Sequence, residues 1–169
     1  MFAELCQRNH ANHPGVQVMQ IGVSKPGVQS LRLRVAGALT TANPKLIHEY
    51  GGLDWSKHQL TDVILECEAK TLDDVLSESG AAAGFDLLIV DVEGGESDVF
   101  AGFDLSYWRP RMMIVELSES HPNLRSQSAD DARTSDMILS GGYSIVYKDI
   151  VNTVFVRKDV RDAACPDIP

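Results

Sequence analysis

Six consecutive residues, Asp91-Val92-Glu93-Gly94-Gly95-Glu96, carry the densest chemistry in the chain. Asp91 and Glu93 follow an apolar run, Leu87-Leu88-Ile89-Val90. Residues two apart on a strand share a face, so both carboxylates are expected to emerge together where the strand runs out. Such a pair has three uses. It can hold a hard cation through its oxygens. It can bind polar or cationic groups of a ligand. It can also simply end a strand and cap the next helix. Gly94 and Gly95 permit a tight turn, and Glu96 then suits the positive end of a helix whose apolar side holds Val99 and Phe100. In open α/β sheets ligands bind beyond the carboxyl ends of strands, where these acids are expected to sit.

Two more residues belong to the same rim. Glu116 ends a second apolar run, Met112 to Val115, and His121 follows it. His121 is a candidate base. The other histidines, His10, His13, His48 and His58, are scattered without an H-x-x-x-H pair and read as surface residues. No G-x-G-x-x-G, G-x-x-x-x-G-K-[ST] or G-x-S-x-G occurs, so neither a dinucleotide fingerprint, a P-loop nor a nucleophile elbow is present. Cys6, Cys67 and Cys165 are far apart and odd in number, which reads as reduced cytosolic thiols.

The elements that must position these residues follow in order. Phe2, Leu5 and Cys6 have helical spacing, with Asn9 to Gly15 as the exit turn. Val16 to Val23 reads as a strand. Leu31, Leu33 and Val35 alternate with Arg32 and Arg34 as a half-exposed second strand. Residues 37–62 are the least legible stretch, either a binding loop or a surface excursion with a short helix near Lys45 to Tyr50. Val63 to Ala69 alternates again. Thr71 and Asp74 form a capping box ahead of Leu72, Val75 and Leu76. Leu87 to Val90 is short and continuously apolar, which fits a strand buried on both faces, and Gly102 is placed to stop the helix after it. Met112 to Val115 is another such strand. A helix is expected over residues 129–139, and an antiparallel hairpin over Tyr143 to Tyr147 and Thr153 to Val156. The pattern is α/β, with a parallel centre and an antiparallel hairpin at one side. Residues 1–158 form one domain and residues 159–169 read as a loose polar tail.

The composition limits the partners. The 169 residues hold 24 acids against 15 bases, a net charge of -9, which argues against a nucleic-acid-binding face. Apolar residues make up 44%, enough for a packed core and against a disordered chain. No apolar run approaches the roughly 20 residues of a membrane span, and the first residues lack the order of a signal peptide. A cytoplasmic protein acting on a small molecule is expected.

Thr71-Leu-Asp-Asp-Val-Leu76, followed by Phe85-Asp-Leu-Leu-Ile-Val-Asp-Val-Glu-Gly-Gly-Glu-Ser-Asp-Val-Phe-Ala-Gly-Phe103, resembles the FkbM family of methyltransferases. That family reads roughly T-L-D-D-L-L, then I-D-x-L-K/S-I-D-V-E-G-A-E-L-x-V-L-x-G. Asp104-Leu-Ser-Tyr-Trp-Arg-Pro110, Ile114-Val-Glu-Leu117 and Gly142-Tyr143 extend the likeness, which covers about residues 1 to 158. The resemblance implies a Rossmann-like, class I methyltransferase sheet, mostly parallel with the C-terminal hairpin. It implies S-adenosylmethionine as methyl donor and a hydroxyl on a sugar, polyketide or other small metabolite as acceptor.

Carried over by position, Asp91 and Glu93 would lie beside donor and acceptor, with Asp91 toward the cofactor. Val23 and Ser24 would lie near the adenine. Thr40 and Thr41 would replace serines of a Gly/Ser-rich stretch, and Glu116 matches an acid at the end of the next strand. Asp91, Glu93 or His121 would take the acceptor's proton, and Glu93, Glu116 and His121 would meet the acceptor. Ile89 stands where the family has Lys or Ser. The family's first strand, its Gly-rich loop and the acidic strand end that grips the ribose are expected to precede Met1, which leaves the C-terminal two-thirds of the fold. Two other readings follow. One is a non-catalytic binding or dimerising module, whose open sheet edges would favour a homo-oligomer. The other is a metal-dependent hydrolase using Asp91, Glu93 and Glu116.

Overall fold

The computed structural model describes residues 2–118 and 121–164. Along the chain, α1 (Phe2–Asn9) precedes β1 (Gly22–Val23), β2 (Ser30–Arg34), α2 (Pro44–Gly51) and β3 (Ile64–Lys70). Then come α3 (Leu72–Glu78), β4 (Leu87–Val90), α4 (Glu96–Ala101), α5 (Leu105–Trp108) and β5 (Met112–Glu116). The described chain closes with α6 (Ser128–Ser140), β6 (Tyr143–Lys148), β7 (Asn152–Arg157) and α7 (Lys158–Ala164).

The strands form two sheets, ordered β1-β3-β2 and β4-β5-β7-β6. Only β1–β3 and β4–β5 pair parallel, whereas β2–β3, β5–β7 and β6–β7 are antiparallel. The sheets are therefore mixed, and the mostly parallel sheet expected from sequence is corrected. The cause is connectivity. The chain between β2 and β3 doubles back, and β7 returns from a tight turn. In that turn Asp149 Oδ1 accepts from the backbone N–H groups of Val151 and Asn152 at 2.8 and 2.7 Å.

Strand β4 differs from expectation in a second way. Leu88 and Val90 pack against the core, but Leu87 and Ile89 are 41% and 61% exposed. The strand is thus buried on one face only. It lies at the edge of its sheet, paired with β5 alone, and the core lies on the face that carries Leu88 and Val90. That core joins Val90, Val99, Phe100, Met113, Val115, Ile138 and Phe155. Their alternation along β5, with Met113 and Val115 buried between less buried neighbours, is the period-2 signature of a sheet covered on one face.

Helix α3 ties the two sheets together. Thr71 and Asp74 form the capping box read from the sequence. Next to them, Asp73 Oδ1 accepts from Trp108 Nε1 and from the Asp104 backbone N–H, both at 2.8 Å. Gly102 ends α4 where a Cβ would meet the Ser24 carbonyl oxygen at 2.8 Å and the Thr71 side chain at 3.0 Å. A side chain there would push the end of α4 away from β1 and α3.

Two further differences concern the ends of the domain. Among the described residues Val16 to Ile21 has no strand partner, and only Gly22–Val23 pairs. Residues 158–164, read in large part as loose tail, form α7, whose Asp159 pairs at 2.6 Å with Arg157 at the end of β7. Residues 165–169 lie outside the described part. Among the described residues no helix is long and apolar enough to cross a membrane.

Candidate active site

The register of the four-stranded sheet brings the first two carboxylates together. Val90 pairs with Val115, so Asp91 and Glu116, each one residue further on, leave adjacent parallel strands side by side. Glu93 joins them differently from the strand alternation expected. Strand β4 stops at Val90, and the backbone turns through left-handed conformations at Glu93 (φ 53°) and Gly94 (φ 86°). A glutamate in that region is strained, by roughly 1–3 kcal/mol. The turn delivers the third carboxylate, and single oxygens of Asp91, Glu93 and Glu116 all lie within 4.8 Å of one another. This spacing could hold a cation.

The strain is held by bonds from three sides. Glu96 Oε1 accepts from the Val92 and Gly94 backbone N–H groups at 3.0 and 3.3 Å. Thr41 Oγ1 donates to the Glu93 carbonyl at 2.6 Å, and Asn43 Nδ2 donates to the Gly94 carbonyl at 3.0 Å. Tyr50 Oη donates to Glu93 Oε2 at 2.6 Å. Asn43 is doubly used, since its Oδ1 accepts from the Lys45 and Leu46 N–H groups and caps α2. Helix α2 is in turn packed through Leu46 and Tyr50 against Leu124. At its far end Glu49 accepts from the Arg125 and Ser126 N–H groups and from the Ser126 hydroxyl.

The electrostatics are one-sided. Among the described residues no ion pair reaches Asp91, Glu93 or Glu116. Burial pushes the Glu116 carboxyl well up, and the hydrogen bond it makes with Asp91 and the charge of Glu93 push the same way. Glu116 therefore favours its protonated form. Burial also raises Glu93, against the lowering effect of the Tyr50 hydrogen bond. Glu96 is pushed up to about 7 by burial, and Asp131, which accepts from the Ser118 N–H and hydroxyl, up to about 6 for the same reason.

Beside this group lies a cavity of about 500 Å³. Val23, Ser24, Thr40 and Thr41 line it on one side, and Val92, Gly94 and Gly95 on the other. Four residues singled out from the sequence for cofactor contact thus share one cavity, and its wall is the turn that carries Glu93. Asp91, Glu93 and Glu116 are not among the lining residues, and the cavity meets their group only through the backbone turn at Val92, Gly94 and Gly95. His121 stands outside the carboxylate trio: its Nδ1 accepts from the Asn123 and Leu124 N–H groups at 3.1 Å each and closes a turn. Tyr50, Asn43 and Glu49 were not singled out as site residues. The one local signal was Asn43-Pro44, a cap followed by proline in the first helical position, which marks the start of α2.

Residues 8–145 match the family described as the methyltransferase FkbM domain. Searches of curated proteins and of solved structures find no significant match. The family match spans well over half of the chain and contains the Asp91–Glu96 turn, both walls of the cavity and Glu116, so the chain belongs to the FkbM methyltransferase family.

Proposed function

We propose that this chain binds S-adenosylmethionine in the cavity between Ser24, Thr41 and Gly94 and methylates a hydroxyl of a small metabolite. The observation that carries the reading is a group of three acids, without a cationic partner among the described residues, at the turn that walls a cavity of about 500 Å³. A surplus of negative charge in a partly buried site favours a cationic ligand. The lining fits the donor, with apolar Val23, Leu31 and Val92 for a flat ring and the hydroxyls of Thr40 and Thr41 for polar groups.

When bound, S-adenosylmethionine supplies a methyl carbon whose bond to sulfur breaks, the pair staying on sulfur, as an oxygen takes the carbon. The chain's residues hold the reactants and move the proton. Asp91 and Glu93 supply negative charge behind the turn that walls the cavity. Glu116, in its protonated form, donates to Asp91 and keeps it in place. Glu93 accepts the acceptor's hydroxyl proton, a role suited to a carboxylate whose proton affinity burial raises above the ordinary value. Tyr50 occupies its Oε2, which leaves Oε1 for that proton.

Ultraviolet crosslinking of the full chain with methyl-labelled S-adenosylmethionine tests the site. Label is expected on peptides containing residues 40–43 or 92–95. A chain that takes up no label, or takes it up only elsewhere, would overturn the reading. The spacing of the three carboxylates favours a second reading, a bound divalent cation, which would appear as heat on titration with magnesium or manganese alone.

A further inference from the structure

The residue that the carboxylates depend on lies outside their own strands. Tyr50 is 2% exposed, locked by Leu46 and Leu124 and edge-on to Trp55 at 6.2 Å between ring centroids. Its hydroxyl meets Glu93 Oε2 at 2.6 Å. Glu93 needs such a hold. Its backbone is left-handed, its side chain has no cationic partner among the described residues, and Asp91 repels it. Without the phenol nothing described fixes which way the carboxylate points.

We propose that Tyr50 is a positioning residue: its hydroxyl holds the Glu93 carboxylate against the Asp91–Glu116 pair, so that α2 sets the charge felt by a bound cation. The proposal rests on the methyltransferase reading for the identity of that cation. The rest follows from geometry. Tyr50 is rigid because α2 is capped by Asn43, and Asn43 also holds Gly94. One helix end thus fixes both the backbone and the side chain of the turn.

The test compares S-adenosylmethionine with S-adenosylhomocysteine, which lacks the positive charge. Calorimetry is run on the wild type, Tyr50→Phe, Glu93→Gln and the double variant, with thermal melts as a folding control. Tyr50→Phe should lower the preference for the charged ligand about tenfold or more, the worth of one hydrogen bond to a charged group. In the Glu93→Gln background the same change should have no effect, because the two residues act as a unit. A loss of equal size in both backgrounds, or equal weakening of both ligands, would overturn the proposal.

If the wild type binds neither ligand, the methyltransferase reading fails while the aim of Glu93 stays testable. With carbon-13 in the glutamate carboxyls, Tyr50→Phe should shift one resonance, the one that Glu93→Gln removes. An unmoved Glu93 resonance would overturn the positioning role.

Discussion

Thr41 Oγ1 donates to the carbonyl of Glu93 at 2.6 Å, across 52 residues of chain. The same hydroxyl accepts from the Asn43 N–H at 2.9 Å, so one fully buried side chain joins the entry of α2 to the strained turn after β4. Thr41→Val keeps the shape and removes both bonds. It should cost about 1–3 kcal/mol, since the Glu93 carbonyl and the Asn43 N–H lose their partner. Urea unfolding measures it. An unchanged midpoint would mean that the turn does not need Thr41.

A second contact joins α3 to α5. Asp73 accepts from Trp108 Nε1 and the Asp104 N–H, and Trp108 is 4% exposed. Asp73→Ala should destabilise by roughly 2–3 kcal/mol, because a buried indole N–H is left without an acceptor. Tryptophan fluorescence during unfolding reads it directly. Asp73→Asn, which keeps an oxygen in place, should recover part of the loss.

Packing at the end of α4 offers a third prediction. A Cβ at Gly102 would lie 2.8 Å from the Ser24 carbonyl oxygen, which is backbone and cannot swing away. Gly102→Ala should destabilise by about 1–3 kcal/mol and weaken ligand binding, since Ser24 lines the cavity. Thermal melts and calorimetry on one preparation give both effects. A variant as stable as wild type would show that β1 moves freely.

The buried acids set the pH dependence. Glu96 is raised from an ordinary 4.5 to about 7, and Asp131 from 3.8 to about 6. Each folded value lies above the unfolded one, so the folded state binds more protons over the interval between them. Stability is fully present below pH 4 and falls as pH rises through 6 and 7. Glu93 and Glu116 shift in the same direction. The chain should be more stable at pH 5 than at pH 8 by about 3 kcal/mol or more. Glu96→Gln should flatten the curve. It should not abolish folding, because the amide oxygen can still accept the Val92 and Gly94 N–H groups. Stability rising from pH 5 to pH 8 would contradict the burial of these acids.

Local chemistry was readable from the chain wherever its partners are near in sequence. The Thr71–Asp74 box, the stop at Gly102 and the hairpin of β6 and β7 each depend on residues a few positions apart, and all form. The region around α2 was opaque for the opposite reason. Thr41, Asn43 and Tyr50 act on residues some fifty positions away, and no periodicity records such a partner. Burial of β4 was overstated because four apolar residues in a row cannot reveal that their strand lies at a sheet edge. The grouping of Asp91 with Glu93 was anticipated from alternation, yet a left-handed turn produces it. Glu116 joins them through the β4–β5 register, which only the pairing discloses. The polar stretch after Arg157 hid α7, whose Asp159 pairs with Arg157 and with its own Val160 N–H.

Calorimetric titration of the full chain with S-adenosylmethionine, beside Asp91→Asn, Glu93→Gln and the double variant, tests the central claim most directly. Saturable heat is expected for the wild type, with affinity about tenfold weaker when either charge is removed and weaker again when both are. Wild-type heat that is absent, or that survives loss of both charges unchanged, would contradict a carboxylate site built for a cationic methyl donor.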